Sequence, residues 1–227
     1  MNILITGCSR GIGRGFLETY LIKNEVNKVF AVTTNAQKLK DLQVKFPEKL
    51  SIISAQVSKP TECEKIKATL SNQTLDLLVN CAGIAPSESD HFSEIKVSSL
   101  QESFEVNVYS AFFTTQACLP ALQKSKDAKV VSMSSLMGSI EDNTSGGSYS
   151  YRMAKAALNM FNKSFSVDHP KVTAIVLHPG WVKTEMGGSS APTTIEQSVN
   201  GMVKVISNLK LNQTGKFYDF EGDAIAW

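Results

Sequence analysis

Tyr151 and Lys155 are the residues of this sequence whose types and spacing most directly suggest acid–base chemistry. They lie four positions apart near the start of an amphipathic pattern over residues 150–168, so on a helix both side chains share one face. An ammonium beside a phenol favours the phenolate and lowers the pKa of the tyrosine, as a tyrosine general acid or base requires. An ordinary surface pair on a helix is the alternative. The neighbouring Tyr149 has Met153, and no lysine, at its fourth position.

A cluster of glycines follows the first apolar run of the chain and precedes its first helical pattern. Glycines in that place permit a tight turn and let backbone N–H groups approach a pyrophosphate at a helix N-terminus. The spacing is G-x-x-x-G-x-G, and the dinucleotide fingerprint G-x-G-x-x-G fits poorly because Phe16 occupies its last position. A tight turn without a ligand is the alternative, but the place between strand and helix favours phosphate binding. The turn reads Thr6-Gly7-Cys8-Ser9-Arg10-Gly11-Ile12-Gly13.

The choice of nucleotide depends on the segment after the second apolar run. NAD-binding proteins of this kind usually carry an acid there for the ribose 2′-hydroxyl, and residues 33–36 contain neither Asp nor Glu. Arg10 in the glycine turn could bind a 2′-phosphate through two hydrogen bonds, with Lys38 assisting. Solvated surface charges are the alternative for both cations. The sequence therefore predicts NADPH/NADP⁺ as the cofactor.

Short, nearly continuous apolar runs alternate with amphipathic patterns from end to end. Such runs are typical of strands covered on both faces, and their alternation with helices predicts right-handed crossovers and a parallel sheet. The predicted fold class is α/β: a single doubly wound parallel-sheet Rossmann-type domain over residues 1–227, with about seven strands and helices on both faces. The predicted strands are 3–5, 29–32, 50–57, 75–79, 129–133, 172–177 and 216–219, and the predicted helices are 11–23, 36–46, 60–71, 98–125, 150–168 and 195–208.

Composition and charge exclude several classes of protein. A balance of 23 Lys+Arg against 21 Asp+Glu is too even for a protein that binds nucleic acid or an anionic membrane. No apolar run approaches the roughly 18 residues of a membrane span, and the N-terminus lacks the features of a signal peptide, so we expect a cytoplasmic protein. The four cysteines form no C-x-x-C pair and the three histidines are scattered, so we expect reduced thiols and no metal site.

Three further motifs stand at the ends of later predicted strands, where a doubly wound sheet binds its ligands. They are Asn80-Cys-Ala-Gly83, Ser134-Ser135 and Pro179-Gly-Trp-Val-Lys-Thr184. With the glycine turn and the Tyr151/Lys155 pair they resemble, in order and over essentially the full length, the classical short-chain dehydrogenase/reductases. The stretches that look like sniffer-type carbonyl reductases and the related bacterial C-factor signalling proteins are 133–140, 146–155, 178–192 and 223–227.

The resemblance implies a role for each of these residues. Tyr151 would protonate the substrate carbonyl oxygen, while Lys155 would lower the pKa of Tyr151 and bind the nicotinamide ribose. Ser135 would hydrogen-bond the carbonyl, and Asn107 would hold a water in the proton relay. The residues implied in cofactor binding are Gly7, Ser9, Arg10, Gly11, Ile12, Gly13, Thr34, Asn80, Ala82, Gly83, Tyr151, Lys155, Pro179, Gly180, Val182 and Thr184.

The sequence departs from the family pattern in three places. Gln56 stands where an Asp usually follows the third strand, which puts the adenine contact in question. Cys81 replaces the second Asn of the usual Asn-Asn-Ala-Gly, a change that we expect to matter less. Thr34 stands where many NADP-dependent relatives carry Arg, so Arg10 has less help with the 2′-phosphate.

The substrate is expected to bind between residues 84–97, residues 136–149 and a substrate loop at about 185–194. Apolar side chains and the absence of arginine in these segments favour a small or aromatic aldehyde, ketone or quinone. The resemblance implies NADPH-dependent reduction of such a carbonyl to an alcohol; the alternative is a nucleotide-binding signalling protein with little or no turnover. We also expect a homodimer, because the apolar residues of 98–125 and 150–168 exceed what one sheet face can bury and relatives pair through these helices.

Overall fold

The computed structural model of the protein describes residues 1–85 and 92–227. In these residues a single seven-stranded sheet has the order β3-β2-β1-β4-β5-β6-β7, and each neighbouring pair is parallel. This is the doubly wound Rossmann-type α/β fold that the alternation of apolar runs predicts. The strands are β1 (Asn2–Thr6), β2 (Lys28–Thr33), β3 (Leu50–Ser54), β4 (Leu77–Asn80), β5 (Lys129–Met133), β6 (Thr173–His178) and β7 (Lys216–Asp219).

Helices cover both faces of the sheet. Alternate residues of a strand point to opposite faces, so Ile3 and Ile5 of β1 belong to one buried cluster and Leu4 to the other. The first cluster lies under α1, α2 and α7, and the second under α3, α5 and α6. These helices are α1 (Gly11–Leu21), α2 (Lys40–Lys45), α3 (Pro60–Leu70), α4 (Val97–Phe104), α5 (Ser110–Leu122), α6 (Tyr149–Asp168) and α7 (Ile195–Asn208).

Three predicted elements differ from the structure. The single helix predicted at 98–125 is α4 and α5 joined by a π-helical turn, Glu105–Tyr109. The strand predicted at 50–57 ends at Ser54, and the helix predicted at 36–46 begins as the 3₁₀ turn Ala36–Leu39. Apolar periodicity does not reveal the π turn or the 3₁₀ turn, because each is too short to show a period of its own.

The functional site is expected at the carboxyl ends of the strands, at the point where the strand order reverses. β1 pairs with β2 on one side and with β4 on the other, so the chain leaves the carboxyl ends of β1 and β4 in different directions and a crevice opens between them. No helix among the described residues is both long and apolar enough to cross a membrane.

Candidate active site

A cleft of about 620 Å³ lies at the carboxyl ends of the strands. It is lined by the glycine turn after β1 and by the segments that follow β2, β3, β4, β5 and β6. Two side chains of α6, Tyr151 and Lys155, form part of its wall. The parallel sheet thus gathers the separate sequence motifs into one elongated site.

The glycine turn is packed too closely for larger residues. A Cβ at Gly7 would lie 2.7 Å from the Cα of Ala82, and a Cβ at Gly13 would lie 2.3 Å from the carbonyl oxygen of Gly7. The hydroxyl of Thr6 accepts hydrogen bonds from the Cys81 and Ala82 N–H groups at 3.0 and 3.1 Å, which holds the ends of β1 and β4 together.

The start of α1 is suited to an anion. Its N-cap residue, Arg10, makes no side-chain capping hydrogen bond, and its first turn contains no acid. The first N–H groups of a helix lack partners within the helix and attract negative charge. Gly7, Gly11 and Gly13 line the cleft beside these N–H groups, so the turn fits the pyrophosphate of a dinucleotide.

Lys155 is buried at the base of the cleft. Only 4% of the residue is exposed, and its Nζ donates a hydrogen bond of 2.8 Å to the carbonyl oxygen of Met133. Nζ also lies 5.5 Å from the centre of the Tyr151 ring. Burial disfavours the ammonium and lowers the pKa of Lys155 to about 8.

The pKa of Tyr151 moves opposite to the direction predicted from sequence. Burial raises it above its ordinary value, and a hydrogen bond with the Ser135 hydroxyl opposes this rise only in part. Lys155 directs its ammonium to the Met133 carbonyl, so it does not offset the burial. The structure therefore holds Tyr151 as a protonated phenol at neutral pH.

Two neighbouring serines after β5 have different partners. Ser134 is buried and donates a hydrogen bond of 2.6 Å to Oδ1 of Asn159. Ser135 is partly exposed, accepts a hydrogen bond from the Met137 N–H at 3.2 Å, and bonds with Tyr151. Ser134 is thus the serine that lines the cleft, whereas Ser135 is the serine that bonds with Tyr151.

Asn107 lies in the π turn and is almost fully buried. Its Nδ2 donates to the carbonyl oxygens of Ile84 and Ser103, both at 3.0 Å, and its Oδ1 accepts the Ile84 N–H at 3.1 Å. One amide hydrogen and Oδ1 therefore hold the segment after β4 at Ile84, and the other amide hydrogen bonds to α4 at Ser103. A water in a proton relay, which the resemblance implies, would need another atom of Asn107, such as its backbone carbonyl.

The segment after β6 is folded back on itself. The hydroxyl of Thr184 accepts the Gly187 N–H at 3.0 Å and donates to the Val182 carbonyl at 3.3 Å. Val182 pairs with Thr193 in an isolated parallel bridge, and the Trp181 indole donates to the Gly187 carbonyl at 2.7 Å. These contacts give the predicted substrate loop a defined conformation beside the cleft.

Three comparisons with known proteins bear on this site. The family model described as short chain dehydrogenase matches residues 1–194. The chain belongs to this family.

Individual relatives include both kinds of protein that the sequence resembles. The structure of carbonyl reductase Sniffer of D. melanogaster has a TM-score of 0.95 and 35% identity, with 100% of this chain and 99% of that chain covered. A carbonyl reductase from chicken fatty liver, described as NADPH bound, has a TM-score of 0.92 and 35% identity, with 100% and 98% covered. C-signal of Myxococcus xanthus is 37% identical over 155 residues, which cover 67% of this chain and 93% of that protein.

Most residues that the sequence assigns to the site of this short chain dehydrogenase line the cleft. Four do not: Ser135, Asn80, Gly180 and Val182. Asn80 points away, donating to the Thr115 hydroxyl at 3.0 Å, and so joins β4 to α5. The site residues that do line the cleft are Gly7, Ser9, Arg10, Gly11, Ile12, Gly13, Thr34, Ala82, Gly83, Asn107, Tyr151, Lys155, Pro179 and Thr184.

Gly180 and Val182 pack against other parts of the protein and do not line the cleft. Gly180 has φ +83°, and a Cβ there would lie 2.9 Å from the Phe220 ring. Val182 is buried beneath the loop that it starts. Both shape the segment that carries Thr184 into the cleft.

Sequence reasoning missed a polar chain at the far end of the cleft. Gln56 donates to the hydroxyl of Ser58 at 3.3 Å, and Ser58 donates to a carboxylate oxygen of Glu105 at 2.9 Å. Gln56 and Ser58 line the cleft. Position after β3 is the signal that could have found Ser58, because segments at the carboxyl ends of parallel strands carry the ligand contacts.

The cations predicted to bind a 2′-phosphate are both exposed. Arg10 lines the cleft and forms an ion pair with Glu185, a residue that sequence reasoning did not single out. Lys38 is not part of the cleft lining, although its carbonyl accepts a hydrogen bond from Arg14 at 2.7 Å. Of these two cations, Arg10 is the one that lines the cleft.

The structure describes part of the substrate pocket that the sequence predicts. Ile140, Tyr149, Trp181 and Met186 are exposed, and of these four Met186 lines the cleft. The Tyr149 ring lies 5.5 Å from the ring of Phe92. Residues 86–91, which belong to the predicted segment 84–97, lie outside the described residues.

Proposed function

We propose that this short chain dehydrogenase is an NADPH-dependent carbonyl reductase that converts an aldehyde, ketone or quinone to the corresponding alcohol. The observation that carries the proposal is Tyr151, which bonds with Ser135, lies 5.5 Å from Nζ of the buried Lys155, and lines the same cleft as Lys155 and the glycine turn. Bound NADPH would supply the hydride to the carbonyl carbon. The proton for the carbonyl oxygen comes from the protein.

Tyr151 is the proton donor in this proposal. Burial raises its pKa, so the phenol stays protonated at neutral pH, which is the state that an acid in a reduction needs. Ser135 shares a hydrogen bond with the phenol and positions the carbonyl oxygen next to it. Once the proton has left, the Ser135 bond stabilises the phenolate.

Lys155 has the donors that ribose hydroxyls require. Its ammonium has three hydrogens, and the Met133 carbonyl takes one of them. A Cβ at Gly83 would lie 3.6 Å from Nζ, so the absence of a side chain there keeps the approach to the ammonium open. A lysine held in this way binds the ribose and fixes the ring near the substrate.

The preference for NADPH rests on charge. Arg10 lines the cleft, and no acid follows β2 at residues 33–36 to bind a ribose 2′-hydroxyl. Loss of a charged, two-point contact costs about 1.5–3 kcal/mol of binding free energy. Arg10→Ala should therefore weaken NADPH binding, measured by calorimetry, while NADH binding stays nearly unchanged. Equal losses for both cofactors would refute the 2′-phosphate contact.

The proposed substrate class rests on the exposed apolar side chains of the segments predicted to bind the substrate. Ile140, Trp181 and Met186 are each more than half exposed, and Tyr149 adds an aromatic face. No arginine or lysine among the described residues of the cleft lining stands beyond Arg10 and Lys155 to bind a substrate anion. These surroundings favour small or aromatic neutral carbonyl compounds.

A matched pair of tyrosine variants tests the chemical step. Carbonyl compounds are screened with NADPH, and turnover is measured as the decrease in NADPH absorbance. With an active compound, Tyr151→Phe should lower the turnover by about two orders of magnitude or more while NADPH still binds. Tyr149→Phe, two residues away and exposed, should change mainly the KM. Turnover that survives Tyr151→Phe and disappears with Tyr149→Phe would show that the wrong tyrosine has been assigned.

The similarity to C-signal gives the same screen a second purpose. A signalling protein that only binds nucleotide would bind NADPH but turn over no carbonyl compound. The set Asn107, Ser135, Tyr151 and Lys155 is present, which favours the enzyme. The homodimer and the cytoplasmic location remain predictions from the sequence.

A further inference from the structure

The ion pair between Arg10 and Glu185 joins two segments that are far apart in the chain. Arg10 is the N-cap residue of α1, and Glu185 follows Thr184 in the segment after β6. These segments adjoin: a Cβ at Gly11 would lie 3.6 Å from the Thr184 methyl carbon. Both charged side chains are largely exposed and both residues line the cleft, so the pair lies at its mouth.

Glu185 is also the single acid among the described residues that line the cleft, and Arg10 and Lys155 are the cations among them. Lys155 is buried at the base and bonded to Met133. The nearby Arg14 is engaged elsewhere, with Glu18, Asp41 and the Lys38 carbonyl. An anion that enters at the glycine turn therefore finds one available guanidinium, and a carboxylate already holds it.

We propose that Glu185 determines cofactor specificity by competing with the 2′-phosphate of NADPH for Arg10. The inference rests on the proposed function, because it requires that Arg10 bind this phosphate. NADH carries a hydroxyl in place of the phosphate and does not compete for the guanidinium, so Glu185 lowers the affinity for NADPH selectively. It thereby keeps the preference for NADPH below the value that Arg10 alone would give.

The expected size of the effect is modest because the ion pair is exposed to solvent. Exposed pairs contribute little to stability, so their removal should change a binding constant by about two- to fivefold. Glu185→Gln should therefore tighten NADPH binding by about two- to fivefold more than it tightens NADH binding. Loss of a negative charge from the cleft favours both cofactors, so the ratio of the two dissociation constants is the quantity to measure.

The experiment is a double-mutant cycle on the full chain, with NADPH and NADH dissociation constants measured by titration calorimetry. The proteins are the wild type, Glu185→Gln, Arg10→Ala and the double variant. Glu185→Gln should raise the NADPH preference in the wild-type background and leave it unchanged in the Arg10→Ala background. The matched control is Glu18→Gln, which removes one exposed carboxylate that pairs with Arg14 and should not alter the preference.

The outcomes separate this inference from the proposed function. If the wild type does not prefer NADPH, or if Arg10→Ala does not reduce the preference, both ideas fail. If Arg10→Ala reduces it but Glu185→Gln leaves it unchanged, only the competition is refuted. A lower NADPH preference in Glu185→Gln would show that the carboxylate prepares Arg10 for the phosphate, which is the opposite role.

Discussion

Replacement of Lys155 by methionine should change the pH dependence of stability by a predictable amount. Burial lowers the pKa of this lysine from 10.5 to about 8 in the folded protein, whereas the unfolded chain keeps the ordinary value. Between these two values the unfolded state binds more protons than the folded state, so the free energy of unfolding rises with pH. The cost of burying the ammonium is thus fully present below about pH 8 and disappears as the pH rises through 10.5.

The magnitude follows from the shift itself. Each pKa unit is worth about 1.4 kcal/mol, so the full penalty is about 3 kcal/mol, and between pH 7 and pH 10 roughly two to three kcal/mol of it is removed. Methionine has a side chain of similar length and no charge, so the penalty is absent in Lys155→Met at every pH. Its packing effect is constant and cancels when the same protein is compared at two pH values.

The assay is urea denaturation of both proteins at several pH values from about 7 to about 10. The wild type should gain roughly two to three kcal/mol relative to Lys155→Met across this range. For Lys163→Met, at an exposed position of the same helix, the free energy of unfolding should depend on pH as it does in the wild type. Parallel curves for the wild type and Lys155→Met would mean that Lys155 is not desolvated as the structure indicates.

Three further outcomes are expected. Gly13→Ala should lower the free energy of unfolding by about 1–3 kcal/mol in urea, because its Cβ would meet the Gly7 carbonyl oxygen at 2.3 Å. Asn107→Ala should cost about 1–3 kcal/mol by the same measurement, since it leaves the buried backbone groups of Ile84 without a partner. Light scattering at micromolar concentration should give twice the mass of one chain, and Phe112→Glu on the exposed face of α5 should reduce it to one; a wild-type monomer would contradict the predicted dimer.

The sheet could be predicted because parallel strands are buried on both faces. Val29–Val32 shows this directly, because each of its residues is apolar and buried, and Lys129–Met133 has buried apolar residues at Val130, Val131 and Met133. The glycine turn and the Tyr151/Lys155 pair were found for a related reason: each depends on spacing within one short segment. The local geometry of a helix or a turn fixes where residues at such a spacing lie, and it depends little on the rest of the chain.

Features that depend on distant contacts could not be predicted. The ion pair of Arg10 and Glu185 joins positions 175 residues apart, and no local pattern indicates it. The pKa of Tyr151 was expected to fall because a lysine follows at i+4, but burial, which spacing does not reveal, raises it. Asn80 stands in a cofactor motif, yet its amide bonds with Thr115 and joins the sheet to α5.

The π turn between α4 and α5 shifts the phase of everything after it. Ser103 before the turn donates to the Ser150 carbonyl, and Thr115 after it accepts a bond from Asn80. In an uninterrupted α-helix, about 100° per residue would set these two side chains roughly 120° apart around the axis. The wide turn absorbs one extra residue and brings them to within about 20°. Conversion of Glu105–Tyr109 to a regular α-helical turn without loss of a residue would therefore rotate the hydroxyl that binds Asn80 off the face that Ser103 occupies. Removal of one residue from the same turn would keep both side chains on that face.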